Sequence, residues 1–170
     1  MVQLRPHDVA IALQLALHPG MAYRAIAEAV GLSHSEVHGA VKRLAYARLV
    51  RADIRAARVS ALLEFLISGV PYAFPAEPGA ESRGVPTAFA GPSLAGDFPD
   101  ASPLVWPAID GDRRGATIEP LYAAAPATAK GNPALYDLLT LVDALRVGRA
   151  RERHRARILL EERLGATELV

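Results

Sequence analysis

The chain has 170 residues, of which 51% are hydrophobic, 6% are aromatic and none is cysteine, and its formal net charge is +1. This composition fits one domain, or a small domain with an appended half, and it excludes a disulfide framework and a thiolate metal site. No apolar run approaches the roughly 18 residues that a membrane helix needs. The N-terminus, MVQLRPHDVA, lacks the order of a signal peptide, so we expect a cytoplasmic protein without a membrane partner.

Positive charge gathers at the start of the chain. Residues 1–58 contain eight basic and four acidic residues, a net charge of +4, whereas residues 71–132 carry −3 and residues 133–170 carry +1. Contact with the phosphates of a nucleic acid requires such a local excess of positive charge.

The first part of the chain is predicted to form three helices. The first spans about residues 6–17, because proline suits the first helical position and His-Pro-Gly at residues 18–20 ends the pattern. The second spans roughly residues 23–30 and ends at Gly31, and the third runs from about residue 33 to residue 47.

The third helix has the strongest local signals. Ser33 and Glu36 have the spacing of a capping box, in which each side chain bonds the backbone N–H of the other residue. Val37, Val41 and Leu44 then recur on one face and should pack inward. The opposite face carries polar, small or basic residues, namely Ser35, His38, Gly39, Lys42 and Arg43. A buried helix, a glycine turn and a second helix with a polar outer face predict a helix-turn-helix, whose second helix can enter the DNA major groove.

A winged helix-turn-helix would continue into a β-hairpin wing after Val50. The sequence RADIRAAR lacks an Asn-Gly or Asp-Gly turn and has alanine where strand formers are expected. The wing is therefore predicted to be short, or reduced to a basic loop, and a helix over about residues 59–68 should follow. These elements make residues 1–69 a predicted winged helix-turn-helix domain.

Residues 70–132 have a different character. They hold ten of the 13 prolines, so they cannot form a long helix. We predict an ordered, extended segment with short strands at about residues 71–74, 104–106 and 117–121. Its aromatic side chains should act as anchors: Tyr72, Phe74, Phe89, Phe98, Trp106 and Tyr122.

Residues 133–170 return to helix. Asn132 is a plausible cap before Pro133, and Gly148 separates a leucine-rich helix from a charged helix that ends near Leu164. The apolar stripe of the first helix should serve dimerisation or internal packing; it consists of Leu135, Leu138, Leu139, Val142 and Leu145. The predicted fold class is therefore mainly α, with an N-terminal winged helix-turn-helix, an extended middle segment and C-terminal helices.

The stretch AYRAIAEAVGLSHSEVHGAVKRLAYARLV resembles the N-terminal half of MarR-type winged helix-turn-helix regulators. The likeness covers residues 4–50, and the long paired dimerisation helices typical of that family are not apparent around it. The resemblance implies a bacterial transcriptional regulator that binds a two-fold operator as a homodimer.

The candidate contacts to double-stranded DNA follow from helical position. Ser35 and His38 should read base edges, and Gly39 should let the helix approach the groove closely. Phosphate contacts are assigned to Ser33, His34, Lys42 and Arg43, and on the wing to Arg51, Arg55 and Arg58, which could also enter a minor groove. The alternatives are a solvated face of a protein-binding winged helix and, for the wing arginines, simple surface charge.

Other kinds of site have less support. His34 and His38 lie one helical turn apart and could chelate zinc, but no third ligand is evident, so no metal or cofactor is predicted. No catalytic constellation is apparent, so an enzyme is not expected. The leading hypothesis is a sequence-specific DNA-binding transcriptional regulator. The alternative is an antitoxin or adaptor whose middle and C-terminal segments bind a toxin-like partner protein.

Overall fold

The computed structural model describes residues 1–168, and this part of the chain is 53% helical with eight helices, which confirms a mainly α fold. The first three helices are α1 (Pro6–Leu17), α2 (Tyr23–Val30) and α3 (His34–Tyr46). The predicted bounds of α1 and α2 are those observed, and α3 is one residue shorter at each end than predicted.

Local capping explains why these bounds were predictable. The backbone N–H of Arg5 donates to the Asp8 carboxylate at 2.9 Å, and Pro6 fills the first turn of α1. Gly31 ends α2 with a φ of +72°, a left-handed conformation that favours glycine, and its N–H donates to the Ala27 carbonyl at 2.9 Å. The chain therefore turns sharply between α2 and α3.

A small hairpin follows α3. Strands β1 (Val50–Arg51) and β2 (Ala56–Ala57) pair antiparallel, and they lead into α4 (Val59–Ser68) with the predicted bounds. Of the two forms expected for this region, the chain adopts the short hairpin.

The middle segment is ordered and holds most of the strands. Its elements are α5 (Val70–Ala73), β3 (Glu81–Thr87), a 3-10 turn (Ala88–Ala90), β4 (Leu104–Pro107), β5 (Arg113–Thr117) and α6 (Ala125–Gly131). Strand β3 pairs antiparallel with both other strands, and β4 pairs parallel with β5, so each strand has two neighbours. The three strands thus close on themselves.

Gly84 lies where β3 passes from one partner strand to the other. It pairs with Arg113 of β5 and with Pro107 of β4. A Cβ atom at this position would lie 2.0 Å from the backbone oxygen of Trp106, so any side chain would force the strands apart. The closed arrangement therefore requires glycine here.

Two of the three predicted strands need correction. The expected strand at residues 71–74 is wrong, because these residues lie in or directly after α5, where Pro71 occupies the first turn, a helical position that proline tolerates. The strand expected at residues 117–121 is β5, which ends at Thr117 instead of beginning there. The sequence did not indicate the start of β5, because the exposed Arg113 and Arg114 are not typical strand residues. The strand at residues 104–106 is confirmed as β4.

The chain ends in two helices, α7 (Pro133–Val147) and α8 (Ala150–Glu168). The apolar stripe predicted on the first of them faces the interior of this chain, since its five side chains are at most 3% exposed. One hydrophobic cluster joins these residues to the buried side chains of α1, α3, α4 and the sheet. Among residues 1–168, no helix has the length and apolar character needed to cross a bilayer.

Candidate nucleic-acid interface

The orientation of α3 is fixed by its first turn and by its apolar face. The Ser33 hydroxyl accepts from the Glu36 N–H at 3.2 Å, and the Glu36 carboxylate accepts from the Ser33 N–H at 2.8 Å. The predicted capping box is therefore confirmed. The hydrogen bond from the Ser33 backbone N–H to the carboxylate, and then the interaction with the Ser33 side chain, hold the pKa of Glu36 below its ordinary value. Val37, Val41 and Leu44 are at most 1% exposed, which turns the opposite face outward.

The outward face is open to solvent. Ser33, His34, Ser35 and Lys42 are exposed, while His38 and Gly39 are half-buried. The Ser33 and Ser35 hydroxyls lie 3.3 Å apart, so the two serines sit side by side at the start of the helix. The structure thus brings six of the predicted residues together on one surface, which we call the α3 face: Ser33, His34, Ser35, His38, Gly39 and Lys42.

Three aromatic rings form a cluster on the α3 face. The ring of Tyr23, the first residue of α2, stacks on the His38 ring with centroids 4.0 Å apart and an angle of 29° between the planes. His34 meets His38 at 4.5 Å and Tyr23 at 6.4 Å, both edge to face. Tyr23 was not among the predicted site residues. Its position just after the turn at Gly20 gave no sign that it would reach α3.

Arg43 lies beside Gly39, and its guanidinium is bound to α1. Its guanidinium donates to both carboxylate oxygens of Asp8, from Nε and Nη2, at 2.8 Å each. The Asp8 side chain is 1% exposed and that of Arg43 is 16% exposed. His7 Nε2 lies 3.2 Å from Arg43 Nη2 as well. The hydrogen bonds to Asp8 raise the pKa of Arg43. The side chain assigned to phosphate contact instead joins α3 to α1 through a buried ion pair.

The hairpin arginines occupy three different environments. Arg51 is exposed and pairs with Asp53 at 3.1 Å. Arg55 donates Nε to the Met21 carbonyl at 2.9 Å and Nη2 to the Gly20 carbonyl at 3.1 Å, so its side chain binds the turn between α1 and α2. Arg58 is exposed just before α4.

A metal site at the two histidines has no additional support. Within residues 1–168, no group of three or more His, Cys, Asp or Glu side chains is placed to hold an ion. The His34 and His38 rings contact each other and Tyr23.

A second buried polar network lies far along the chain from α3. Asp143 of α7 accepts from Thr87 Oγ1 at 2.6 Å, from Trp106 Nε1 at 2.7 Å and from Arg146 Nη1 at 2.8 Å. Burial raises the pKa of Asp143, against the opposing effect of Arg146 and the hydrogen bonds. Arg146 also donates Nε to the Phe74 carbonyl at 2.8 Å. The network therefore joins α7 to the sheet and to the end of α5.

Most of the aromatic side chains of the middle segment pack inward. Trp106 and Tyr122 are buried, and Phe74, Phe89 and Phe98 pack against the main cluster. Tyr72, which is 77% exposed, is the exception among the six. The expectation that these aromatics act as anchors is met within this chain.

Comparison with protein-family models, with curated proteins and with solved structures finds no match for this chain.

Proposed function

We propose that residues 1–69 form a winged helix-turn-helix domain and that α3 is its recognition helix. On this proposal the protein is a sequence-specific DNA-binding transcriptional regulator, as the resemblance to MarR-type regulators also implies. The observation that carries the proposal is the α3 face, which is polar and open while the other side of the helix is buried. A recognition helix needs such an exposed polar side to contact the bases of a major groove.

The residues of the α3 face suit different tasks. Ser35 and His38 lie in the first two turns of α3, where side chains of a recognition helix contact base edges. Lys42 lies further along the exposed side and suits a phosphate. At Gly39, the three atoms nearest to the position that a Cβ would take all belong to the Arg43 guanidinium, the nearest at 3.1 Å, so the missing side chain makes room for the arginine that binds Asp8.

A binding assay with matched variants tests the proposal. The full chain would be titrated by fluorescence polarisation against its own upstream DNA and against a random duplex, each at low and high salt. Lys42→Ala should weaken binding to both duplexes similarly and reduce the salt slope by about 1. His38→Ala should instead relax the preference at one base pair, by about 1–3 kcal/mol. Absence of binding to any duplex at low salt would refute the proposal.

A two-fold dimer is part of the same proposal. Its two recognition helices would lie about 34 Å apart and read half-sites one helical turn apart. Because the leucine stripe of α7 is buried inside the chain, the dimer must use another surface. Sedimentation of the free chain and of its DNA complex would give the stoichiometry, and a one-to-one complex with a two-fold operator would contradict the dimer.

A further inference from the structure

The Tyr23–His34–His38 cluster is attached to the hairpin as well as to α3. The Arg55 guanidinium lies 5.9 Å from the centroid of the Tyr23 ring, over its face. A guanidinium in this position is attracted by the negative face of the aromatic ring. Tyr23 therefore contacts a cation of the hairpin and an imidazole of α3 at the same time.

Arg55 is itself firmly held. Its backbone carbonyl accepts from the Gly20 N–H at 2.9 Å, while its side chain donates to the carbonyls of Gly20 and Met21. Its φ of +49° is a left-handed conformation that is uncommon outside glycine, and the three hydrogen bonds maintain it. The hairpin is thus fixed to the residues that immediately precede Tyr23.

This connection limits what the His38 side chain can do. One face of its ring is covered by Tyr23 and the ring also meets His34 at a steep angle, so these contacts restrict the plane of the imidazole. Base reading requires a donor or acceptor at a defined angle to the base edge, within the distance of a hydrogen bond. If the imidazole rotated freely, ordering it on the DNA would cost free energy. This cost would reduce the free energy gained from contact with the correct base.

We propose that Tyr23 is a positioning residue for base recognition: it fixes the His38 imidazole for contact with a base edge, and Arg55 fixes Tyr23. This inference rests on the proposed function and adds to it a specificity determinant on α2. It also gives Arg55 a role different from phosphate contact. Base preference should then depend on the aromatic ring of Tyr23 and not on its hydroxyl.

The experiment measures base preference and not affinity alone. A randomised duplex library would be selected with the full wild-type chain and with Tyr23→Ala, Tyr23→Phe, His38→Ala and the Tyr23→Ala/His38→Ala double variant. Tyr23→Ala and His38→Ala should each reduce the preference at the same base pair, by about 5- to 150-fold. The double variant should lose no more than the single variants, because both changes remove one interaction. Tyr23→Phe keeps the ring and should keep the preference.

Tyr46→Ala provides the matched control. Tyr46 is the last residue of α3, is 72% exposed and has no ring contact with the cluster. Its removal should leave base preference unchanged. In the DNA-free protein, the ring-proton chemical shifts of His38 should move in Tyr23→Ala and stay in Tyr23→Phe, since the ring current of Tyr23 acts on a stacked imidazole. Thermal unfolding of each variant would verify that it is folded at the assay temperature.

The outcomes separate this inference from the proposed function. If Tyr23→Ala binds DNA with unchanged base preference, or if the losses of the single variants add in the double variant, the positioning role is wrong and DNA binding stands. A loss of preference in Tyr23→Phe would show that the hydroxyl contacts DNA directly, which also overturns it. If the wild-type chain binds no duplex at low salt, both the proposed function and this inference are refuted.

Discussion

Replacing Arg43 should damage the fold, whereas replacing its neighbour Lys42 should not. Arg43→Ala removes two charge-assisted hydrogen bonds of 2.8 Å. It leaves the Asp8 carboxylate, 1% exposed, with the N–H of Arg5 and with His7, whose Nε2 lies 3.4 Å from Oδ1. Loss of one partner of a buried ion pair costs about 3–5 kcal/mol. Since Arg43 is itself 16% exposed and water can enter the space it leaves, we expect about 3 kcal/mol.

This magnitude is readily measurable. For a chain of this size, about 3 kcal/mol corresponds to a decrease in Tm of roughly 6–12 °C. Lys42→Ala removes the same charge from an exposed position and should change the free energy of unfolding by less than about 0.5 kcal/mol. The two variants would be compared by thermal and urea denaturation. The variant Asp8→Asn/Arg43→Met should lose less than Arg43→Ala, because no buried charge is left unpaired.

The same pair of variants distinguishes structure from DNA contact. If Arg43 faces α1 as observed, a folded Arg43→Ala protein should keep the salt dependence of DNA binding, and Lys42→Ala should reduce it. Equal stability of Arg43→Ala and Lys42→Ala would contradict the reasoning, because it would mean that the ion pair with Asp8 contributes little. If folded Arg43→Ala shows a weaker salt dependence of DNA binding than wild type, Arg43 does contact a phosphate.

The remaining predictions of stability concern the N-terminal cap of α3 and the buried network around Asp143. Ser33→Ala should cost about 1 kcal/mol by loss of the cap of α3, a decrease in Tm of about 2–4 °C by calorimetry. The pKa of the Glu36 carboxyl is lower in the folded chain than its ordinary value near 4.5. The ionised carboxylate should therefore stabilise the fold above pH 4.5, and this stabilisation should be lost as the pH falls through the pKa of the folded state. The largest cause of this shift is the backbone N–H of Ser33, which Ser33→Ala keeps, so the test uses Glu36→Gln. A pH series of urea midpoints in which Glu36→Gln and wild type decline in parallel would contradict that link. Asp143→Ala should lower the free energy of unfolding by about 3–5 kcal/mol, because it leaves Arg146, 5% exposed, without its carboxylate. Urea unfolding followed by the fluorescence of Trp106 would measure the loss. An unchanged unfolding midpoint would show that the network is dispensable.

The features that the sequence predicted well are those determined by neighbouring residues. The bounds of α1, α2 and α4 and the capping box of α3 depend on proline, glycine and serine within one helical turn, so their signals are local. The outward face of α3 followed in the same way from the spacing of its valines. The wing remained ambiguous because a two-residue strand is too short to give an alternating pattern.

What the sequence did not predict depends on residues far apart in the chain. Arg43 and Asp8 are 35 positions apart, and the Thr87 hydroxyl reaches Asp143 across 56 positions. No local pattern indicates that one arginine of α3 turns inward while the adjacent lysine stays outside. Asp8, an acid at the head of a mostly apolar helix, was the one available hint. The closed sheet was missed for the same reason, since its pairing is set by contacts between strands and not by strand propensity.

The inward position of Arg43 lowers the salt dependence that we expect for DNA binding. Among residues 34–58, Lys42, Arg48 and Arg58 are exposed without an ion-pair partner within the described part of the chain, while Arg51 is paired with Asp53.

If these three cations are the ones that meet phosphates, the slope of log K against log salt should be about −2.7 per chain, or about −5.4 for a dimer. Such a value would mean that nonspecific attraction is weak and that recognition depends strongly on the serine and histidine groups of the α3 face. The slope would be measured by polarisation over a salt series, with Arg48→Ala expected to reduce its magnitude by about 0.9. A slope near −10 for the dimer would refute this account, since it would require the arginines of α8 or another basic surface to contact the duplex.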